Sequence, residues 1–399
     1  MALSESLRRQ PRVVWVTAFA AVIAFMGIGL VDPILLSIAE GLHASPSQVT
    51  LLFSSYLGVQ VVAMLITGAC AARFGAKRTL VAGLGLIVAA TLACALAGSI
   101  TELVALRAVW GLGNALFIAT ALSVIVGAAS GGQQGAIVLY EAALGLGLST
   151  GPLLGALLGS WSWRAPFAGT AVLMAVALVL CATRLAPDRH EERDPVRLLD
   201  PLRALRHRGL LLTSIGSALY TAAFFVVLAW SPFVLGFGAV PIGLIFFGWG
   251  LGVAVSGVVL APKLAARLGE RAATTAAVLG YAALMAAMVI DSKAVLVVAV
   301  IVSGVASGLL NTLFTGTAMS SSGAPRGVAS AGYNFCRWFG GAVAATLVGH
   351  VAAWFDWPRA PFLVAAALCV VAAGVLTLGR TGRDPRAVPA EAVLVGEEA

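Results

Sequence analysis

VVWVTAFAAVIAFMGIGLVDPILLS, residues Val13 to Ser37, is the stretch on which the fold turns. The nineteen residues from Val13 to Val31 carry no charge, and the first that does is Asp32. Nineteen residues at a helical rise of about 1.5 Å reach across roughly 30 Å, the thickness of a bilayer's hydrocarbon core. Lipid offers the backbone no hydrogen-bond partner, so a run of this kind has to satisfy its own N–H and C=O groups as a helix. Arg8, Arg9 and Arg12 precede it. The apolar run is too long for the core of a cleavable leader, and it is expected to remain as a first transmembrane helix.

The same pattern recurs along the chain. Twelve spans are predicted, at roughly 13–37, 48–71, 78–99, 102–127, 134–159, 164–185, 209–234, 241–265, 272–291, 293–319, 327–354 and 358–379. Of the 399 residues, 60% are hydrophobic and 11% charged. A soluble chain carries about 25% charged residues, so this one has too few to coat a water-facing surface. The predicted fold class is an all-α integral membrane protein, with twelve transmembrane helices in two pseudo-symmetric six-helix bundles.

The net charge of +8 could suggest a nucleic-acid partner, but the basic residues sit in short loops between apolar spans, the signature of membrane topology. The amino end, the loops after even-numbered spans and the carboxyl tail hold 20 Lys and Arg; the opposite loops hold three, Arg164, Lys293 and Arg359. Positive loops stay inside. Both termini are therefore expected in the cytoplasm of a bacterial-type inner membrane. Residues 1–185 would form the amino-terminal bundle, 186–208 an arginine-rich cytoplasmic linker, 209–379 the second bundle and 380–399 a cytoplasmic tail. Cys70, Cys94, Cys181, Cys336 and Cys369 lie in or beside apolar spans without a C-x-x-C spacing, and read as packing residues.

The two halves repeat. Ala71-Ala72-Arg73-Phe74-Gly75 returns 194 residues later as Ala265-Ala266-Arg267-Leu268-Gly269. At a nearly equal offset Gly111-Leu112 matches Gly304-Val305, and Tyr140-Glu141 matches Tyr333-Asn334. A duplicated helical half is a signature of transporters that hold substrate between the halves.

Four motifs carry a family resemblance. Gly68 to Arg78 reads GACAARFGAKR, with Gly68, Arg73, Gly75, Lys77 and Arg78 in place. It resembles the loop between the second and third helices of the major facilitator superfamily, except that Ala72 stands where the family has an acid. Arg107, Gly111 and Gly113 in span 4 resemble the family's R-x-x-x-G-x-G motif. Gly147, Gly151, Pro152 and Gly155 resemble its antiporter signature G-x-x-x-G-P-x-x-G, and Trp161-Ser162-Trp163-Arg164 follows like the family's W-x-W-R turn. Met26 to Pro33 in span 1 is similar to the first-helix signature of the twelve-helix drug/proton antiporters. The glycines would let helices approach closely, and Pro152 would remove one backbone hydrogen bond and allow a bend.

Two acids, Asp32 and Glu141, and two bases, Arg107 and Arg337, lie well inside the spans. Ionisable groups at such depth are costly and mark function or fixed pairs. Asp32 and Arg107 are expected at one depth, where they could meet; Glu141 and Arg337 are expected near the midplane. Desolvation favours a neutral acid and a nearby cation favours a carboxylate, so moving the cation or wetting the site moves a proton. Asp32, Glu141 and Arg107 are thus the proton-coupling candidates. Tyr56, Gln60, Asn114, Tyr220, Phe224, Trp249, Asn311, Asn334 and Arg337 are the substrate-binding candidates; Arg337 could bind an anionic group or cap a helix contact, and the others could equally pack or face lipid.

No H-E-x-x-H, phosphate-cradling G-x-x-x-x-G-K-S/T or other enzyme constellation occurs, so neither an enzyme nor a cofactor is expected. The resemblance implies a proton-coupled antiporter that exports amphipathic small molecules or drugs by alternating access. Its expected partners are a small-molecule substrate, protons and membrane lipid, with no nucleic acid, and the chain is expected to be a monomer. Two alternatives stay open: a proton-coupled exporter of one endogenous metabolite (a siderophore, sugar or lipid), and a membrane sensor or scaffold that transports nothing.

Overall fold

In the computed structural model residues 10–128, 133–185, 200–321 and 326–378 are described. The side chain of Glu141, the surroundings of Gly68 and Ala72, and residues 186–199 and 380–399 of the expected linker and tail lie outside that description. With apolar side chains all round, the backbone has only itself to bond to, and the described residues follow twelve long helices. They are α1 (Arg12–Gly29), α2 (Pro46–Phe74), α3 (Ala76–Leu96), α4 (Ile100–Ala128), α5 (Gln133–Gly159) and α6 (Ala165–Arg184), followed by α7 (Arg208–Leu235), α8 (Ala239–Val255), α9 (Glu270–Ala287), α10 (Lys293–Ser320), α11 (Arg326–Trp354) and α12 (Ala360–Leu378). Among the described residues there is no β-strand.

Local chemistry sets the ends. Ser45 opens α2 with a reciprocal cap: its Oγ accepts from the Gln48 N–H at 3.3 Å, and Gln48 Oε1 accepts from the Ser45 N–H at 2.8 Å. Pro46 follows at a position that needs no donor. The tight turns from α2 to α3 and from α8 to α9 pivot on Gly75 (φ +90°) and Gly269 (φ +77°), a left-handed backbone that side chains resist.

Two spans are less regular than the apolar pattern suggests. Span 1 is not one continuous helix. It breaks after Gly29, passes through a 3₁₀ turn at Asp32–Ile34 and resumes as Leu35–Gly41. Pro33 has no N–H for the carbonyl of Gly29 and disfavours helical geometry in the residue before it. Span 8 widens into a π turn at Ser256–Leu260 before continuing as Ala261–Leu268. Pro262 has no N–H to offer Val258, and the wide turn sits immediately before it. Part of the polar linker forms a short helix, Asp200–Ala204, which packs on α11.

Packing repeats as the sequence does. The pairs α1–α5, α1–α6, α2–α4 and α3–α6 recur as α7–α11, α7–α12, α8–α10 and α9–α12. Gly111 of α4 lies against the Tyr56 carbonyl of α2; Gly304 of α10 lies against the Trp249 carbonyl of α8. Both residues of the second pair stand 193 positions after those of the first. The loop arginines also correspond. Arg164 donates to the Ala97 carbonyl at 2.9 Å, and Arg359 donates to the Met288 carbonyl at 3.0 Å and to the Ile290 carbonyl. Each caps the end of a neighbouring helix.

The halves meet where α5 packs on α8 and α2 on α11. On the face away from the start of α1 and the end of α12 they touch closely: a Cβ on Gly349 would meet Ser47, and one on Gly243 would meet Ala156 and the Pro152 carbonyl. Toward the start of α1 and the end of α12, Gly145 of α5 lies against Ala254 of α8.

Candidate functional site

Helix α5 presents two faces of small residues. One bears Gly147, Gly151 and Gly155, four apart and therefore aligned. A Cβ on each would come within 3.0 Å of the Val22, Met26 and Leu30 carbonyl oxygens of the α1 segment in turn, a separation real Cβ atoms do not reach. The other bears Gly145 and Ser149, which lie against Ala254 and Gly250 of α8. A helix squeezed between one neighbour in its own half and one in the other half links their positions.

Inside the first half, α1, α2 and α4 bury a polar cluster. Arg107 is wholly buried. Its Nε donates to the Leu52 carbonyl at 3.4 Å and its Nη1 to the Gly27 carbonyl at 3.3 Å. The guanidinium lies between two rings, 4.5 Å from the Tyr56 centroid and 4.4 Å from that of Trp110. Cation–π attraction strengthens when the cation is desolvated, as here. Asn114, two turns on, donates to the Tyr56 hydroxyl. Asp32 is 1% exposed, and neither of its carboxylate oxygens has a hydrogen-bond partner among the described residues. Asp32 and Arg107 lie within electrostatic reach of each other, as their shared depth led one to expect, but they form no hydrogen bond or ion pair. Asp32 sits in the 3₁₀ turn at the Pro33 break, while backbone carbonyls and rings hold the base. Gln60 is also buried, with both amide atoms unpartnered among the described residues.

The second half builds a different cluster. Asn311 Oδ1 accepts from Arg337 Nη2 at 2.9 Å and from the Tyr220 hydroxyl at 3.2 Å, joining α10, α11 and α7. The Tyr220 hydroxyl also lies 3.3 Å from the Ser307 carbonyl. Tyr220 stacks on Phe314, and Phe224 packs edge-on against Tyr220 and tilted against Trp249. Phe224, Asn311 and Arg337 open on a cleft between the halves, with Phe25 and Leu148 on the opposite wall. The free space is about 10 Å³, room for about one water, so the cleft is closed around its lining.

Of the substrate-binding candidates, Phe224, Asn311 and Arg337 line this cleft. Tyr220 and Trp249 support it from behind. Tyr56 and Asn114 belong instead to the Arg107 cluster, and Asn334 Nδ2 donates to Ser330 within its own helix at 3.3 Å. Glu141 sits on α5 one turn before Gly145, its side chain outside the described residues. In the α2–α3 turn, Lys77 Nζ donates to the Leu185 carbonyl at the end of α6 at 2.6 Å, while Arg73 and Arg78 are exposed. Sequence reasoning missed Thr221 and Trp338, which also line the cleft. Their position next to Tyr220 and Arg337 was the available signal. It also missed Leu144 and Leu148, which look like any apolar residue of a span.

Comparisons with known proteins agree with this architecture. The Major Facilitator Superfamily matches residues 17–345. The Multidrug efflux protein YfmO of Bacillus subtilis is 44% identical over 94% of this chain and 94% of its own length. The Methylenomycin A resistance protein of Streptomyces coelicolor is 30% identical over 46% of this chain and 42% of its own. A D-xylose–proton symporter superposes with a TM-score of 0.75 at 17% identity, over 91% of this chain and 96% of its own. The human organic anion transporter MFSD10 gives 0.72 at 18%, over 92% and 100%. These two structures share the fold. A multi-pass helical membrane protein, doubled in packing as in sequence and matched along most of its length, the chain belongs to the major facilitator superfamily, a class of transporters rather than enzymes.

Proposed function

We propose that this protein is a proton-coupled exporter of amphipathic small molecules, working by alternating access. The cargo class rests on one observation, the 44% identity to a multidrug efflux protein along nearly the whole of both chains. The geometry supports it. The cleft between the halves is mostly apolar, with Thr221, Asn311 and Arg337 as its polar lining. Arg337 is the one charged side chain lining it among the described residues, which suits neutral and anionic amphiphiles better than cations.

Coupling falls to Asp32 and Glu141. A buried carboxylate without a fixed partner, as Asp32 is among the described residues, can take up and release a proton when the surrounding helices shift and wet it. The bundles 1–185 and 209–379 are the moving bodies, and 186–208 is the cytoplasmic linker. With both termini in the cytoplasm, the face closed by Gly349 against Ser47 and Gly243 against Ala156 is the outer one. The protein acts as a monomer in the bacterial cytoplasmic membrane.

The test is radiolabelled chloramphenicol, an uncharged amphiphile, in proteoliposomes with and without a pH gradient. Accumulation against its own gradient only when the pH gradient is present is the expected result. Downhill movement alone defeats proton coupling. No movement defeats the export reading and leaves a metabolite exporter or a sensor.

A further inference from the structure

A second cavity, of about 180 Å³, lies beside the cleft between α5 and the crossing of α8 with α10. Leu144 and Gly145 of α5, Gly257 and Val258 of the π turn, and Gly308 and Asn311 of α10 are on its walls. Three of those six are glycines, and the π turn widens α8 just where the space opens. The lining is apolar but for Asn311 and Thr312, whose hydroxyl already donates to the Gly257 carbonyl at 3.2 Å. Its rim faces outward. Val258 is 46% exposed, and Leu146, next to Gly145, is 53% exposed. On a membrane-spanning helix such positions meet lipid.

Size limits the occupant. An apolar cavity of about 150 Å³ is enough for benzene, whereas whole drug-sized ligands need roughly 300–1,000 Å³. The space holds one aromatic ring or a short branched alkyl group. Its inner wall decides what that group belongs to. Leu144 and Asn311 line both this cavity and the central cleft, and Asn311 Oδ1 is already bonded to Arg337. A molecule with its ring in the side cavity therefore has its polar end beside Asn311 and Arg337.

We propose that this cavity is a side pocket, open to the lipid, that receives the apolar ring of an amphipathic cargo before its polar end engages Asn311 and Arg337. The assignment rests on the export reading above and adds where cargo is first held and by which of its ends.

The test uses the full-length protein in proteoliposomes. Trifluoromethyl-phenyl-diazirine, a small apolar photoprobe, should label peptides covering residues 253–262 and 308–312, and excess chloramphenicol should suppress that labelling. Val258→Trp, which fills the pocket from its rim, should raise the KM for chloramphenicol at least about ten-fold, the low end for even one methylene of a hydrophobic pocket. Val255→Trp, equally lipid-facing but off the cavity wall, should transport as wild type. Absence of label, or label that chloramphenicol does not suppress because an acyl chain occupies the space, overturns the proposal. So does wild-type KM in Val258→Trp, or equal impairment in both variants. If wild-type vesicles move no chloramphenicol while chloramphenicol still displaces the probe, the pocket stands and the export reading falls.

Discussion

Arg107 and Arg337 are the two basic residues carried well inside the spans, one in each half, and they are held in opposite ways. Arg107 is sealed: two backbone carbonyls and two aromatic rings surround it. Arg337 is half-buried at the edge of the cleft, tied by one 2.9 Å bond to Asn311 and lying 5.3 Å from the centroid of a single ring, Trp338. They are not counterparts in the repeat. The position 193 after Arg107 is Val300, and the position 193 before Arg337 is Leu144. Glycine contacts such as Gly111–Tyr56 and Gly304–Trp249 do correspond. The halves thus share a way of packing helices and divide the polar chemistry. We assign the sealed cluster to coupling and the open one to cargo.

The most damaging way to probe this division is to break the packing on which both clusters depend. Gly151→Leu drives a side chain into the Met26 carbonyl, which neither helix can vacate without moving the α1–α5 pair. Transport should fall below detection while membrane insertion, measured by carbonate extraction, is retained. Wild-type export by this variant would show that the glycine face is not needed to carry motion between the halves.

Neutralising the acids should separate coupling from cargo handling. Glu141→Gln and Asp32→Asn keep shape and remove titration. Proton-driven uphill export should be lost in the one that carries the proton, while downhill exchange of chloramphenicol continues. If Glu141→Gln vesicles still concentrate substrate as well as wild type, the coupling role passes to Asp32. If both variants do, the first half is not where the proton binds.

A charge-conserving swap tests the sealed-against-open contrast itself. Lysine cannot spread its charge between two carbonyls and two rings as arginine does. Arg107→Lys should cost about 2–3 kcal/mol, the worth of its charge-assisted hydrogen bonds, and lower the melting temperature in detergent. Arg337→Lys, which loses one such bond at a half-buried site, should cost less, about 1–1.5 kcal/mol, and instead raise the KM for cargo several-fold. Equal destabilisation by the two would erase the contrast.

The smallest expected signal tests orientation. A cysteine at Glu5, or one in the 186–208 linker, should remain unlabelled by an impermeant maleimide added to intact cells and react after permeabilisation. External labelling of either would invert the membrane and turn the closed face inward.

Much of the fold was legible before any coordinates. The spans stand out because lipid leaves an apolar run a single way to satisfy its backbone. The breaks at Pro33 and Pro262 trace to prolines visible in the sequence, although the 3₁₀ and π turns they produce were not foreseen. The glycine face of α5 followed from its four-residue spacing. The site was less legible. Tyr56, Gln60 and Asn114 looked like cargo contacts because they are polar within apolar spans, and the structure puts them inside the first half. The triad of Tyr220, Asn311 and Arg337 comes from three helices, and nothing in their spacing along the chain announces it.

By itself, then, the sequence determined that the chain is helical, membrane-spanning and doubled, and which helices carry the glycines that allow close approach. Those properties depend on solvation, composition and small residues at regular spacing, which act locally and repeat. Only the tertiary structure decided that Asp32 and Arg107 do not pair, that Asn311 is shared between Arg337 and Tyr220, and that a pocket opens beside the π turn. Each of these depends on how helices rotate and cross. A residue's direction turns by about 100° with each step along a helix, so a small change in rotation or register selects different neighbours.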